Sequence, residues 1–148
     1  MKEKIILIAI CFLIIITGCS SKNFNTKQNN TKESEIKLSN VKVTINDNTY
    51  TLVLENNKTA EEFFELLPQE LNMSELNGNE KYVYMDNSLA TSSYYPKHIE
   101  KGDVMLYGDN CLVIFYKSFD TNYSYTKIGH INNLDNLGKE NIIVKFEK

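Results

Sequence analysis

Tyr82 and Tyr84 stand two residues apart in "KYVYMD", and Tyr123 and Tyr125 stand two apart in "YSYTKIGHI". In an extended strand that spacing puts both members of each pair on one face. A phenol has an apolar body and a polar tip, so it suits a surface that holds a peptide or a flat ring. Lys127 falls on the Tyr123/Tyr125 face, where its ammonium could hold an anionic group. The same spacing also serves rings that merely wrap a sheet as ordinary strand residues. The candidate ligand-binding residues are therefore Tyr82, Tyr84, Tyr123, Tyr125 and Lys127.

Catalytic arrangements are poorly supplied. The two histidines, His98 and His130, form no CxxC or HxxxH spacing, so no metal site is expected. Cys111 and His130 could form a nucleophilic pair, but Cys111 opens the apolar run "CLVIFY". A buried thiol without a positive neighbour is inert. Asp103 and Asp109 each follow a glycine, where Asp hydrogen-bonds the local backbone of a turn. There is no Gly-rich phosphate loop and no G-x-S-x-G elbow, so no catalytic residue and no cofactor is expected. All sixteen basic residues are Lys, and the formal net charge is −3. A mildly acidic chain without Arg is a poor partner for nucleic acid.

Short strands must position these side chains. "VKVTI" places Val41, Val43 and Ile45 on one face, and "TYTLVLE" does the same with Tyr50, Leu52 and Leu54. Asn46-Asp47-Asn48 between them predicts a hairpin turn. Thr59 and Glu62 have capping-box spacing, and Ala60, Phe63, Phe64 and Leu67 make a helical apolar stripe that ends at Pro68. Asn77-Gly78 predicts a tight turn leading into the strand of "KYVYMD". Asp86 to Ile99 reads as a polar loop. Val104–Tyr107 and Cys111–Tyr116 read as strands joined by a Gly108-Asp109-Asn110 turn. The second of them has no polar position and should be buried on both faces. "YSYTKIGHI" and "IIVKFE" supply further strands. About eight short strands with one or two helices predict a mainly β chain closed into a small barrel, because closure removes exposed edges.

The amino terminus is different. Lys2 and Lys4 precede a twelve-residue apolar run, Ile5 to Ile16. A helix needs about 20 apolar residues to span a bilayer, so the run fits a signal-peptide core. Ile16-Thr17-Gly18-Cys19 then resembles the bacterial lipobox. That resemblance implies cleavage before Cys19 and acylation of its sulfur, and two or more acyl chains suffice for stable anchoring. The chain is expected to comprise a signal peptide (1–18), a lipidated Cys19 with a tether (19–39), and one domain (40–148). Loss of Lys2, Glu3 and Lys4 would take the charge from −3 to −4. The tether is rich in Ser, Thr, Asn and Lys and cannot offset its ordering entropy. Its typical span is about 25 Å. Only Cys111 would remain as a free thiol, excluding an internal disulfide. The expected location is the extracytoplasmic face of a bacterial cell membrane, with the lipid as the membrane contact and the domain monomeric.

The stretches "LNGNEKYVYM", "GDVMLYGDNCLVIFYKSF" and "YSYTKIG" resemble the bacterial cyclophilin-like family, over about Val41 to Phe146. The resemblance implies an eight-stranded cyclophilin-like β-barrel. True cyclophilins are prolyl isomerases whose site uses an Arg guanidinium beside aromatic residues of a proline pocket. This chain has no Arg and no Trp. Lys lacks the planar multi-donor fork, so the catalytic residue does not carry over. The expectation is a non-catalytic module for a peptide or small ligand. The alternatives are a weak prolyl cis-trans isomerase assisting folding and an accessory lipoprotein docking on an envelope partner.

Overall fold

The structure, a computed structural model, describes residues 40–148. The signal, the lipidation at Cys19 and the tether lie outside the described residues. The hairpin expected first is present: β1 (Val41–Ile45) turns through Asn46 and Asp47, both at positive φ, into β2 (Asn48–Leu54). One helix, α1 (Lys58–Glu65), follows. Then come β3 (Gln69–Leu76), β4 (Glu80–Tyr84), β5 (His98–Ile99), β6 (Asp103–Tyr107), β7 (Cys111–Phe115), β8 (Phe119–Asp120), β9 (Thr126–Ile131) and β10 (Ile142–Glu147).

Eight strands close a barrel in the order β1-β10-β3-β4-β7-β6-β9-β2, while β5 and β8 pair separately. Every adjacent pair is antiparallel, so no long crossover is needed. Alternation sends one side chain in two inward. Val43, Leu52, Val104, Leu106, Leu112, Ile114, Val144 and Phe146 are fully buried there as one core. The helix covers this core from outside the ladder, with Ala60 and Phe63 fully buried and Phe63 edge-on to Phe146 at 5.3 Å.

One local reading is corrected, and one strand is added. The helix is capped by Asn57, whose side chain accepts from Ala60 N at 2.9 Å, and not by Thr59. Thr59 and Glu62 instead clamp a loop: the Thr59 hydroxyl donates to Ala90 O, and the Glu62 carboxylate accepts from Ala90 N, both at 2.6 Å. Spacing alone cannot say which backbone a polar side chain will find. Secondly, "QELNMSEL" is a barrel strand, β3, although only Met73 of it is buried. Its place comes from backbone pairing with β10 and β4 on either side.

The reason β7 is apolar at every position is now visible. Leu112 and Ile114 face the barrel interior. Cys111, Val113 and Phe115 face outward into a second core with Ile99, Met105 and Tyr125. The β5–β8 pair lies over this outer face, where Ile99 is fully buried and Phe119 packs against the cluster. Each such side chain removed from water contributes about 1.5–3 kcal/mol. That cover buries one stretch of the barrel wall, and the candidate site opens beside it.

Candidate functional site

On β4 the period of two sends Lys81 and Val83 inward and leaves Glu80, Tyr82 and Tyr84 on the outer wall. Lys81 is fully buried and closes one end of the barrel by donating to Gly138 O at 2.9 Å and Glu140 O at 2.6 Å. Burial lowers its pKa, against the opposing pull of Glu75 and Glu140. The strand is thus locked in register, and its outward residues have fixed positions. β7 runs antiparallel beside it with Glu80 opposite Phe115, Tyr82 opposite Val113, and Tyr84 opposite Cys111. β6 adds Tyr107, opposite Cys111 on the other side.

These outward residues enclose a cleft of about 310 Å³, lined by Leu76, Asn77, Glu80, Tyr82, Tyr84, Tyr107, Cys111, Val113, Tyr123 and Tyr125. Its walls are rings. Tyr82 meets Tyr84 edge-on at 6.1 Å, and Tyr107 meets Tyr123 at 6.1 Å and Tyr125 at 5.7 Å. Tyr84 and Tyr123 are 65% and 62% exposed, so their faces are open to a ligand, whereas Tyr125 is 6% exposed. A second groove of about 250 Å³ shares Asn77, Glu80, Tyr123 and Tyr125 with the first and runs on past Asn79, Phe119 and Thr121. Asn79 Oδ1 is buried without a hydrogen-bond partner among the described residues.

Glu80 belongs to both hollows. Burial, and secondarily the neighbouring Glu75 carboxylate, pushes its pKa up to about 7. Desolvation penalises the ionised form, and a like charge adds to the penalty. Among the described residues, no basic side chain lines the first cleft. At its floor the Cys111 thiol is also pushed up by burial, so it stays protonated and unreactive.

The four candidate tyrosines do come together in this one cleft. Tyr123 and Tyr125 reach it from the segment before β9, not from within a strand. That segment crosses the outer wall as part of the cover, and Tyr125 exchanges two backbone hydrogen bonds with Tyr94, at 2.9 and 3.0 Å. Lys127 stands apart from the cleft lining. Its ammonium lies 3.2 Å from Asp103 and 3.8 Å from Glu55. Asp103 is buried and also accepts from Glu100 N at 3.1 Å and pairs with His130 at 3.0 Å. This is a charge fully answered by its partners. Gly102 leaves room for the His130 ring: a Cβ there would strike Ile131 O and that ring, and φ is +102°.

Cys111 and His130 do not form a pair. Cys111 sits opposite Tyr107 and His130 opposite Asp103, four residues apart along β6, which is about 13 Å. His98 is exposed and bound to Asp120 at 2.6 Å, and that hydrogen bond raises its pKa.

Among the lining residues that sequence reasoning missed are Glu80, Tyr107, Cys111 and Val113. Glu80 was within reach, since it lies two residues before Tyr82 and so shares its face. The other three depended on knowing which strands are neighbours.

The model of the cyclophilin-like family matches residues 43–147, which is nearly all of the barrel. Neither the curated proteins nor the solved structures give a significant match. With the closed eight-stranded barrel and a family match over more than half its length, the chain belongs to the cyclophilin-like family.

Proposed function

We propose that this cyclophilin-like domain is a non-catalytic binding module that takes an extended peptide or a small ligand in the tyrosine cleft of its outer wall. The observation that carries this is the cleft itself: five tyrosines around about 310 Å³, contiguous with a second groove. That volume is at the lower end for ligand sites, which start at about 300 Å³. It suits one ring or side chain, with the rest of the ligand lying along the groove. The missing guanidinium argues against efficient prolyl isomerisation.

The reading includes a place in the cell. The Ile16-Thr17-Gly18-Cys19 stretch supports lipidation at Cys19 and attachment to the extracytoplasmic face of a bacterial membrane. Full-length, membrane-bound protein from a Cys19→Ala variant would sink that part.

The binding part is tested by alanine at Tyr84 and Tyr123, the two open rings. Loss of peptide or ligand binding with the fold retained is the expected result. Unchanged binding would place the ligand elsewhere. Tyr125 is unsuitable for this test, because its ring also packs on Phe115 at 5.5 Å.

A further inference from the structure

Among the described residues, the first cleft joins five phenol rings to one carboxyl and is lined by no Lys. An aromatic face carries negative potential, so rings set around a hollow attract a cation, and more strongly where water is excluded. A carboxylate at the base supplies the counter-charge. Anionic ligands would meet Glu80 with no basic group among the described lining residues to answer them. Lys127, the lysine the strand pattern put beside Tyr123 and Tyr125, stands outside the lining and is held by Asp103 and Glu55.

We infer that the tyrosine cleft is a receptor for an alkylammonium group, with Glu80 as its counter-ion and the open faces of Tyr84 and Tyr123 as its walls. The inference rests on the binding-module reading and names its ligand class. Two sources carry that chemistry: a free small ammonium compound, or the lysine side chain of an extended peptide. Charge distribution agrees with either. The continuing groove adds Asp120, itself already paired with His98, and no Lys is among its described lining residues.

The geometry also sets a pH dependence. Glu80 is faced by Glu75 from β3, by Cys111 of β7 and Tyr116 just beyond it, and by Tyr125 ahead of β9. Apart from Glu75 these are a thiol and phenols, each pushed up by burial. Glu80 is thus the group that changes charge near neutrality. With its pKa at about 7, its ionised fraction rises about tenfold from pH 6 to pH 8. A cation held by that carboxylate gains affinity in proportion.

The test is calorimetry on the full chain in a nonionic detergent. The probes are choline, a capped lysine amide, and 3,3-dimethyl-1-butanol as the neutral twin of choline. At pH 8 choline or the capped lysine should bind at least about tenfold more tightly than the alcohol. That affinity should fall about tenfold at pH 6, and the alcohol's should not. Whichever cation binds more tightly identifies the source. Glu80→Gln should lose the preference and its pH dependence, and Tyr123→Leu should weaken the cation more than the alcohol. Equal or tighter binding of the alcohol overturns the inference but leaves a binding module with an apolar ligand. Failure of all three probes also overturns it; the module reading then rests on a neutral peptide perturbing Tyr84 and Tyr123, and falls if none does.

Discussion

Replacing Glu80 with Gln should stabilise the domain at pH 8 and leave it almost unchanged at pH 5. The carboxyl is buried on the cleft wall beside Glu75, and its pKa rises from an ordinary 4.5 to about 7. A raised acid favours the folded state in its protonated form. Its contribution is therefore fully present below pH 4.5 and is lost as the pH climbs through 7. A rise from 4.5 to about 7 corresponds to an upper bound of about 3 kcal/mol. Glu80 lines an open cleft, where solvent screening weakens the penalty, so roughly half of that, about 1.5 kcal/mol, is a better expectation. Gln keeps the shape and cannot ionise. Urea unfolding of residues 40–148 and the Glu80→Gln variant, at pH 5 and pH 8, reads the difference directly. The parent should lose about 1 kcal/mol more than the variant across that range, because part of the effect is already spent at pH 5. Parallel losses in both proteins would refute the burial argument and, with it, the role given to Glu80 in the cleft.

Other outcomes follow from the same geometry. Tyr84→Ala and Tyr123→Ala should each change stability by no more than about 0.5 kcal/mol in urea unfolding, because both rings are largely exposed. Lys81→Met should cost about 2 kcal/mol by the same assay, since the carbonyls of Gly138 and Glu140 lose their donor at the closed barrel end. Asn57→Ala should cost about 1 kcal/mol through the lost helix cap. Hydrogen exchange would show that loss concentrated in the first turn of α1. Cys111 should react with iodoacetamide far more slowly than a free thiol until the domain is unfolded, as its thiol is buried and held protonated.

Much of the barrel was legible because alternation survives wherever one face of a strand meets the core. β1, β2 and β10 each show it, and the Asn46-Asp47 and Asn77-Gly78 turns carry the residues that positive φ demands. β3 was not legible because it buries little and is held by backbone pairing. The helix cap was misread because Asn57, Thr59 and Glu62 all offer oxygens at suitable spacings, and the choice among them depends on where Ala90 lies. In the site, period two found Tyr82 and Tyr84. It also grouped Tyr123, Tyr125 and Lys127, which the fold separates: both rings turn into the cleft, and the ammonium turns to Asp103. The contribution of Tyr107 and Cys111 needed the β4-β7-β6 order, a long-range fact that no local window contains.

The most direct test of the central claim is an NMR titration of residues 40–148 with lysine-containing Xaa-Pro peptides, combined with exchange spectra of the peptide. The account predicts shifts confined to the tyrosine cleft, around Tyr82, Tyr84, Tyr107 and Tyr123, with the peptide's cis–trans exchange unaccelerated. Accelerated exchange at catalytic protein concentration would contradict it, and would make this barrel an isomerase that works without arginine.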